Sequence, residues 1–241
     1  MNPAEKDMPT EKKIEIIPTV MPENHTDFVE KINRIFSFVS TIQIDVMDGK
    51  FVPSISWPYN SDNDSDWQKY VNQEEGLPHW DKVDFEIDLM VEDQIAEAKK
   101  WISAGVSRVI CHVEALKEDG RAEFLKLRED FDVELYLALV PETSLEKLTP
   151  YLDDLDGVQF MGINKIGFQG QDFEPKVLDK IRQLRAQKPN LPISVDGGVS
   201  FETALQLVAA GATKLASGSL IFESDNPKKT IDELKNLVRS K

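Results

Sequence analysis

The chain is poor in the residue types that mark several large classes of protein. Its 241 residues include one cysteine, Cys111, so no internal disulfide can form, and this cysteine usage predicts a reducing, cytoplasmic setting. Lysine and arginine number 28 against 43 aspartates and glutamates, a net charge of −15 that would repel nucleic-acid phosphates and anionic membrane surfaces. The longest apolar runs, such as "LYLALV" at 135–140, are far too short to cross a bilayer. The opening "MNPAEKDMPTEKK" carries charges but no apolar centre and is not expected to act as a secretory leader. Residues 1–13 are expected to form a flexible tail, followed by one domain over 14–241. No Gly-x-Gly-x-x-Gly follows the first apolar run, which argues against a dinucleotide-binding open sheet.

What the chain does have is alternation. Short β-branched or apolar runs occur at 14–20, 41–47, 83–90, 106–114, 132–140, 157–163, 192–196 and 213–218. Helical patterns lie between them, among them 27–38, 94–104, 174–187 and 201–210, with a closing helix at 227–239. Eight repeated βα units predict an α/β protein, a (β/α)8 TIM barrel.

Period-two alternation along a strand then sorts side chains by face. In "TIQIDVM", Ile42, Ile44 and Val46 suit packing on helices, whereas Gln43, Asp45 and Met47 point inward and climb toward the C-terminal rim, where barrel active sites sit. "DFEIDLM" repeats the design with Glu86, Asp88 and Met90 facing inward, and the seventh strand ends in Asp196. Three aspartates converge on one mouth. A carboxylate turned inward loses hydration unless it is paired, metal-bound or used in chemistry, and no inward lysine or arginine is evident at these strand ends. Asp48-Gly49, by contrast, reads as a turn.

Glycines gather at the last three βα junctions, "IGFQGQDF", "DGGVS" and "SGSLIF". Glycine lets backbone amides approach an anion closely, so three such junctions in succession point to a phosphorylated small molecule.

The segments "IQIDVMDGKFVPSIS", "DLMVED", "HVEAL", "GFQGQDFEPKVLDKIRQLR" and "ISVDGGVSFETALQLVAAGATKLASGSLIF", in this order and spacing, resemble the ribulose-phosphate 3-epimerase family over nearly the whole barrel. The Asp-x-Lys-x-x-Asp pattern of the orotidine-decarboxylase relatives is absent from "DFEIDLM". The resemblance implies a barrel of the ribulose-phosphate-binding type. It also implies a proton transfer at carbon 3 that interconverts ribulose 5-phosphate and xylulose 5-phosphate through an enediolate. Asp45 and Asp196 would act as the acid and base on opposite faces. Met47, Met90 and Met161 match methionines around the intermediate, although soft core filling is the commoner use of methionine. Thr19 stands where the family usually has serine. The phosphate would rest on Gly170, Gly197, Gly198, Gly218 and Ser219. The strand-six loop is one residue longer than usual and lacks a proline before its first glycine.

The main departure concerns metal. The resemblance implies a divalent ion held by two histidines and the two catalytic aspartates, but Gln43 and Asp88 stand at the histidine positions. The set Gln43, Asp45, Asp88 and Asp196 offers only oxygen, which favours magnesium or manganese over zinc or iron. A barrel without metal that only binds a sugar phosphate remains the alternative. Epimerisation of another ketose phosphate, such as allulose 6-phosphate, is a further one, and a homo-oligomer is open. Of the three histidines, His112 is expected to line the barrel, His25 to open a helix and His79 to sit in a loop able to fold over the rim. The aromatic-rich connection at 57–82 is expected to form a packed lid or a subunit contact, and its "DNDSD" a solvated helix start rather than a calcium loop.

Overall fold

The computed structural model describes residues 14–61, 64–117, 120–168 and 170–239. The expected tail at 1–13 lies outside them. Eight parallel strands close into a barrel in sequence order: β1 Glu15–Val20, β2 Thr41–Met47, β3 Asp84–Met90, β4 Arg108–His112, β5 Glu134–Leu139, β6 Gly157–Met161, β7 Ile193–Asp196 and β8 Lys214–Ser217. Around them run α1 His25–Asn33, α2 Ser65–Val71, α3 Gln94–Ala104, α4 Arg121–Phe131, α5 Val177–Gln187, α6 Phe201–Ala210, α7 Ser219–Phe222 and α8 Pro227–Arg239. Between β5 and β6 the crossover is only a 3-10 turn, Leu145–Leu148.

Each boundary has a local cause. Asn24, Asp93 and Ser200 accept backbone N–H groups at the starts of α1, α3 and α6, and Gly105 and Gly211 end α3 and α6 in left-handed conformation. The helix expected over 27–38 stops at Asn33, because Ile35 and Phe38 donate to carbonyls three residues back and the chain tightens into turns while Ile35 stays buried. The helix expected from 174 begins at Val177, since Glu174 donates its N–H to Gly162 O (2.8 Å) and is tied to the end of β6.

One large apolar shell results. Ile42, Ile44, Val46, Phe85, Ile87 and Leu89 join the shell between strands and helices. The connection at 57–82 thickens that shell instead of covering the mouth. Trp57 and Trp67 are buried beside Trp101 of α3, and Trp57 stacks on Phe28 of α1. Within it Asp64 caps α2, as a helix start, while 62–63 lie outside the described residues. His79 stacks on Phe36 at 3.6 Å and reaches Asn33 at 2.7 Å, near the N-terminal ends of the strands, so it does not fold over the rim.

Inside the barrel, the N-terminal end is closed by charge. Glu86 pairs with Arg108, which also reaches Glu134 at 2.6 Å, while Lys214 lies 3.6 Å from Glu15. Both cations lie over the Tyr136 ring, Arg108 at 5.0 Å and Lys214 at 5.3 Å. Burial raises the Glu86 pKa even against these two cations. Gly157 makes room for the ring, because a Cβ there would meet Tyr136 Cε1 at 2.2 Å. Gly157→Ala is therefore expected to cost about 1–3 kcal/mol by overpacking. Thermal unfolding would show this as a Tm fall of roughly 3–10 °C; an unchanged Tm would mean that the ring is not confined.

Candidate active site

At the C-terminal end the interior is acidic. Register places Asp45 of β2 beside Asp88 of β3, and Asp196 of β7 beside Met161 of β6. Oxygens of Asp45, Asp88 and Asp196 all lie within 4.8 Å of one another, and all three residues are buried. Gln43, one layer below, donates Nε2–H to Asp45 Oδ1 at 2.8 Å, while its own Oε1 is buried without a partner. Asp88 accepts at both oxygens, from His112 at Oδ1 (2.9 Å) and from Gln159 at Oδ2 (3.0 Å).

These contacts set the proton affinities. Burial, and then the charges of Asp196 and Asp88, push the Asp45 pKa well above the ordinary carboxylate range, against the opposing bond from Gln43. Burial and then Asp88 push Asp196 up to about 8, although His112 and the Gly197 N–H pull the other way. For His112 burial acts downward, but Asp88, Glu114 and Asp196 outweigh it and raise the pKa. Two carboxyls held in this way do not both ionise at neutral pH without a compensating positive charge.

A cavity of about 370 Å³ opens above this cluster. Thr19, Asp45, Met90, Met161 and Asp196 line its strand side, and Gly170, Gly197, Gly198, Ser217, Gly218 and Ser219 line the loop side. Gly197 and Gly198 have φ of +87° and +66°, and a Cβ on Gly198 would stand 2.9 Å from Phe173, so both positions require glycine. Among the described residues no lysine or arginine lines the cavity, and Asp172 and Glu223 do. An anion there would be met by neutral donors, backbone amides, hydroxyls and the Gln171 side chain among them.

Most of the residues singled out in the sequence meet at this cavity, with two qualifications. Met47 is not on its wall: it packs with Val52 and Met90 in a small apolar cluster, because the loop after β2 folds back and pairs Ser56 with the Met47 backbone. Gln43 and Asp88 also lie beneath the wall, fully buried, and contact the site through the other acids. Sequence reading missed Gln159, whose signal was an inward polar residue on a strand, at 159 in "GVQFM"; His112, expected to line the barrel, does so and pairs with Asp88. Asp48 does more than turn the chain, since it accepts from Lys50 N and, at 3.0 Å, from Glu92 N of the loop after β3.

Could the acids hold a metal ion? Three carboxylates converge, with Gln43 beneath them; its amide nitrogen faces Asp45, and its Oε1, buried without a partner, would join them as a ligand only with the amide turned over. No imidazole nitrogen is available to the cluster, because His112 Nε2 is taken by Asp88. The donor set fits a hard, oxygen-preferring divalent cation.

A closed parallel barrel with three buried carboxyl groups at its C-terminal mouth and a glycine-lined cavity beside them is a (β/α)8 scaffold of the kind that carries active sites at that end. The model of the ribulose-phosphate 3 epimerase family matches residues 15–222, and the chain belongs to that family. It is 33% identical over 200 residues to the ribulose-phosphate 3-epimerase of Bacillus subtilis, covering 80% of this chain and 85% of that one. With the Schizosaccharomyces pombe ribulose-phosphate 3-epimerase it shares 27% identity over 224 residues, 92% and 93% of the two chains. Among solved structures, 3-keto-L-gulonate-6-phosphate decarboxylase from Vibrio cholerae superposes with a TM-score of 0.71 at 15% identity, covering 95% of this chain and 98% of that one, a likeness of fold. No described helix is long and apolar enough to cross a membrane.

The raised carboxyl of Asp196 makes stability depend on pH. Between its ordinary value of 3.8 and about 8, the folded chain keeps a proton that the unfolded chain has released. The stabilisation is complete below the lower value and is lost as pH rises through the upper one. In the presence of a chelator, Tm is expected to fall between pH 5 and pH 9, and Asp196→Asn to flatten that fall and raise Tm at pH 9 by roughly 3 °C or more. A flat wild-type profile would show that the acids are not crowded.

Proposed function

We propose that this chain epimerises a ketose phosphate at carbon 3, with ribulose 5-phosphate and xylulose 5-phosphate as the pair. The observation that carries the reading is Asp45 and Asp196, two buried carboxyls with raised proton affinity on the strand side of one small cavity. One removes the carbon 3 proton as carboxylate; the other, still protonated, returns a proton to the opposite face of the enediolate. Burial and mutual repulsion raise both proton affinities, that of Asp196 to about 8, which favours one member of the pair keeping its proton. Met90 and Met161 bracket the planar intermediate with apolar, polarizable surface that keeps water from the reacting carbon, and Thr19 offers a hydroxyl to a substrate oxygen. Gly170, Gly197, Gly198, Gly218 and Ser219 cradle the phosphate through the backbone and the Ser219 hydroxyl.

Gln43, Asp45, Asp88 and Asp196 would hold a divalent cation, magnesium or manganese. When bound, it supplies positive charge against the developing enediolate oxygens and lets the carboxylates ionise together. That two relatives are ribulose-phosphate 3-epimerases supports the choice of substrate.

Activity on ribulose 5-phosphate, measured after chelation and after adding back magnesium, manganese, zinc, ferrous or calcium ion singly, tests this. Recovery with magnesium or manganese is expected, and Asp45→Asn or Asp196→Asn should each lower kcat by about 10²–10⁴-fold. Phosphosugar binding without turnover under any ion would make the chain a sugar-phosphate binder, and turnover only of allulose 6-phosphate would change the substrate.

Removing Glu223, a carboxylate on the cavity wall, should lower KM for the phosphorylated substrate by about two- to fivefold through relief of like-charge repulsion. Steady-state kinetics of Glu223→Gln check this, and an unchanged KM would place the phosphate away from that side of the cavity.

A further inference from the structure

Asp88 is an unusual ligand to bring to this mouth. It is a third carboxylate, fully buried, and its two neighbours repel it. Left free, it would take whatever rotamer best relieved that repulsion. It is not left free. His112, on the adjacent strand β4, donates to Oδ1, and Gln159, reaching across the interior from β6, donates to Oδ2. Each oxygen keeps a further lone pair for a cation.

Both donors are themselves anchored. The backbone of His112 is clasped by the Gln94 side chain, which accepts from His112 N at 2.5 Å and donates to His112 O at 2.9 Å. Its second ring nitrogen, Nδ1, makes no hydrogen bond; it lies 3.9 Å from Glu114 Oε2, a charge approach that favours the protonated ring, and Glu114 is itself fixed by the Val140 N–H. Gln159 gives its Nε2 to Asp88 and lies 4.0 Å from Met161 Sδ, while its Oε1 is buried without a partner. An amide half-satisfied in a barrel interior is costly, and a leucine would fill the same space without that cost. The retained amide therefore has a purpose beyond packing.

We infer that His112 and Gln159 are positioning residues for the cation site: by holding one oxygen each, they fix Asp88 as a cation ligand and give this barrel an all-oxygen metal preference. The inference rests on reading Asp45, Asp88 and Asp196 as a cation site, and it assigns two residues outside the ligand set. His112 and Gln159 act through Asp88 and touch no reacting atom.

The test is the affinity for Mn²⁺ alone, by electron paramagnetic resonance of the free ion, in the full chain. Gln159→Leu keeps the bulk and removes the amide; it should weaken Mn²⁺ binding by about 10–100-fold, as loss of a partner to a ligand generally does. Asp88→Asn should weaken it comparably, and adding Gln159→Leu to Asp88→Asn should then change Kd less than twofold. An unchanged Kd in Gln159→Leu, or equal weakening with and without Asp88, would overturn the inference. If Gln159→Leu does not fold, His112→Asn is judged by the same cycle. Wild-type protein that binds no Mn²⁺ at millimolar concentration overturns the cation site and this inference together. Wild-type protein that binds Mn²⁺ and epimerises nothing overturns the activity alone, and the cycle still decides the positioning role.

Discussion

The rest of the structure is arranged around three carboxylates that a closed barrel forces together. Strand register alone puts Asp45 beside Asp88, and closure brings Asp196 round to them, all within 4.8 Å and out of water. Such an arrangement stores electrostatic repulsion that folding must tolerate. The consequences are visible in every neighbouring group: proton affinities of Asp45 and Asp196 rise, His112 leans on Asp88, and the two glutamines direct their amide nitrogens at the acids. In the proposed reaction the same repulsion would leave one carboxyl ready to give a proton where another is ready to take one.

The barrel manages charge at its two ends by different means. At the N-terminal end, Glu86 is met by Arg108 and Lys214 beneath the Tyr136 ring, so opposite charges close the interior as a structural plug. At the C-terminal end the only basic side chain facing the acids, among the described residues of the cluster, is His112. The remaining compensation has to come from outside the chain, from a proton or a cation. That asymmetry separates the part of the interior that holds the fold from the part to which the proposed chemistry is assigned.

Much of this was legible in the sequence. Period-two alternation in "TIQIDVM" and "DFEIDLM" assigned each side chain to the correct face, and β2 was read to the residue. The convergence of Asp45, Asp88 and Asp196 followed from strand order, because closed barrels leave little freedom in where a strand's C-terminal residues point. What was not legible depended on packing between distant segments. Periodicity carried α1 past Asn33 because Ile35 remains buried in the turns that follow. The connection at 57–82 reads as amphipathic and aromatic wherever it packs, and only the neighbouring Trp101 and Phe28 decide that it clads the barrel wall. Alternation gave Met47 the inward face that it shares with Met90, but not what folds over it, here the Val52 loop. The bond from Gln159 to Asp88 spans 71 positions, and no local pattern reports it.

The most direct test of the two-acid account is where the proton at carbon 3 comes from. Ribulose 5-phosphate incubated with the metal-loaded protein in deuterium oxide, sampled early and read by mass spectrometry and proton NMR, follows that atom. If Asp45 and Asp196 act on opposite faces, the xylulose 5-phosphate formed carries solvent deuterium at carbon 3 while unreacted ribulose 5-phosphate keeps its protium. Product that retains the original hydrogen would mean that the proton is carried across by a single group or not removed at all, and would contradict the account.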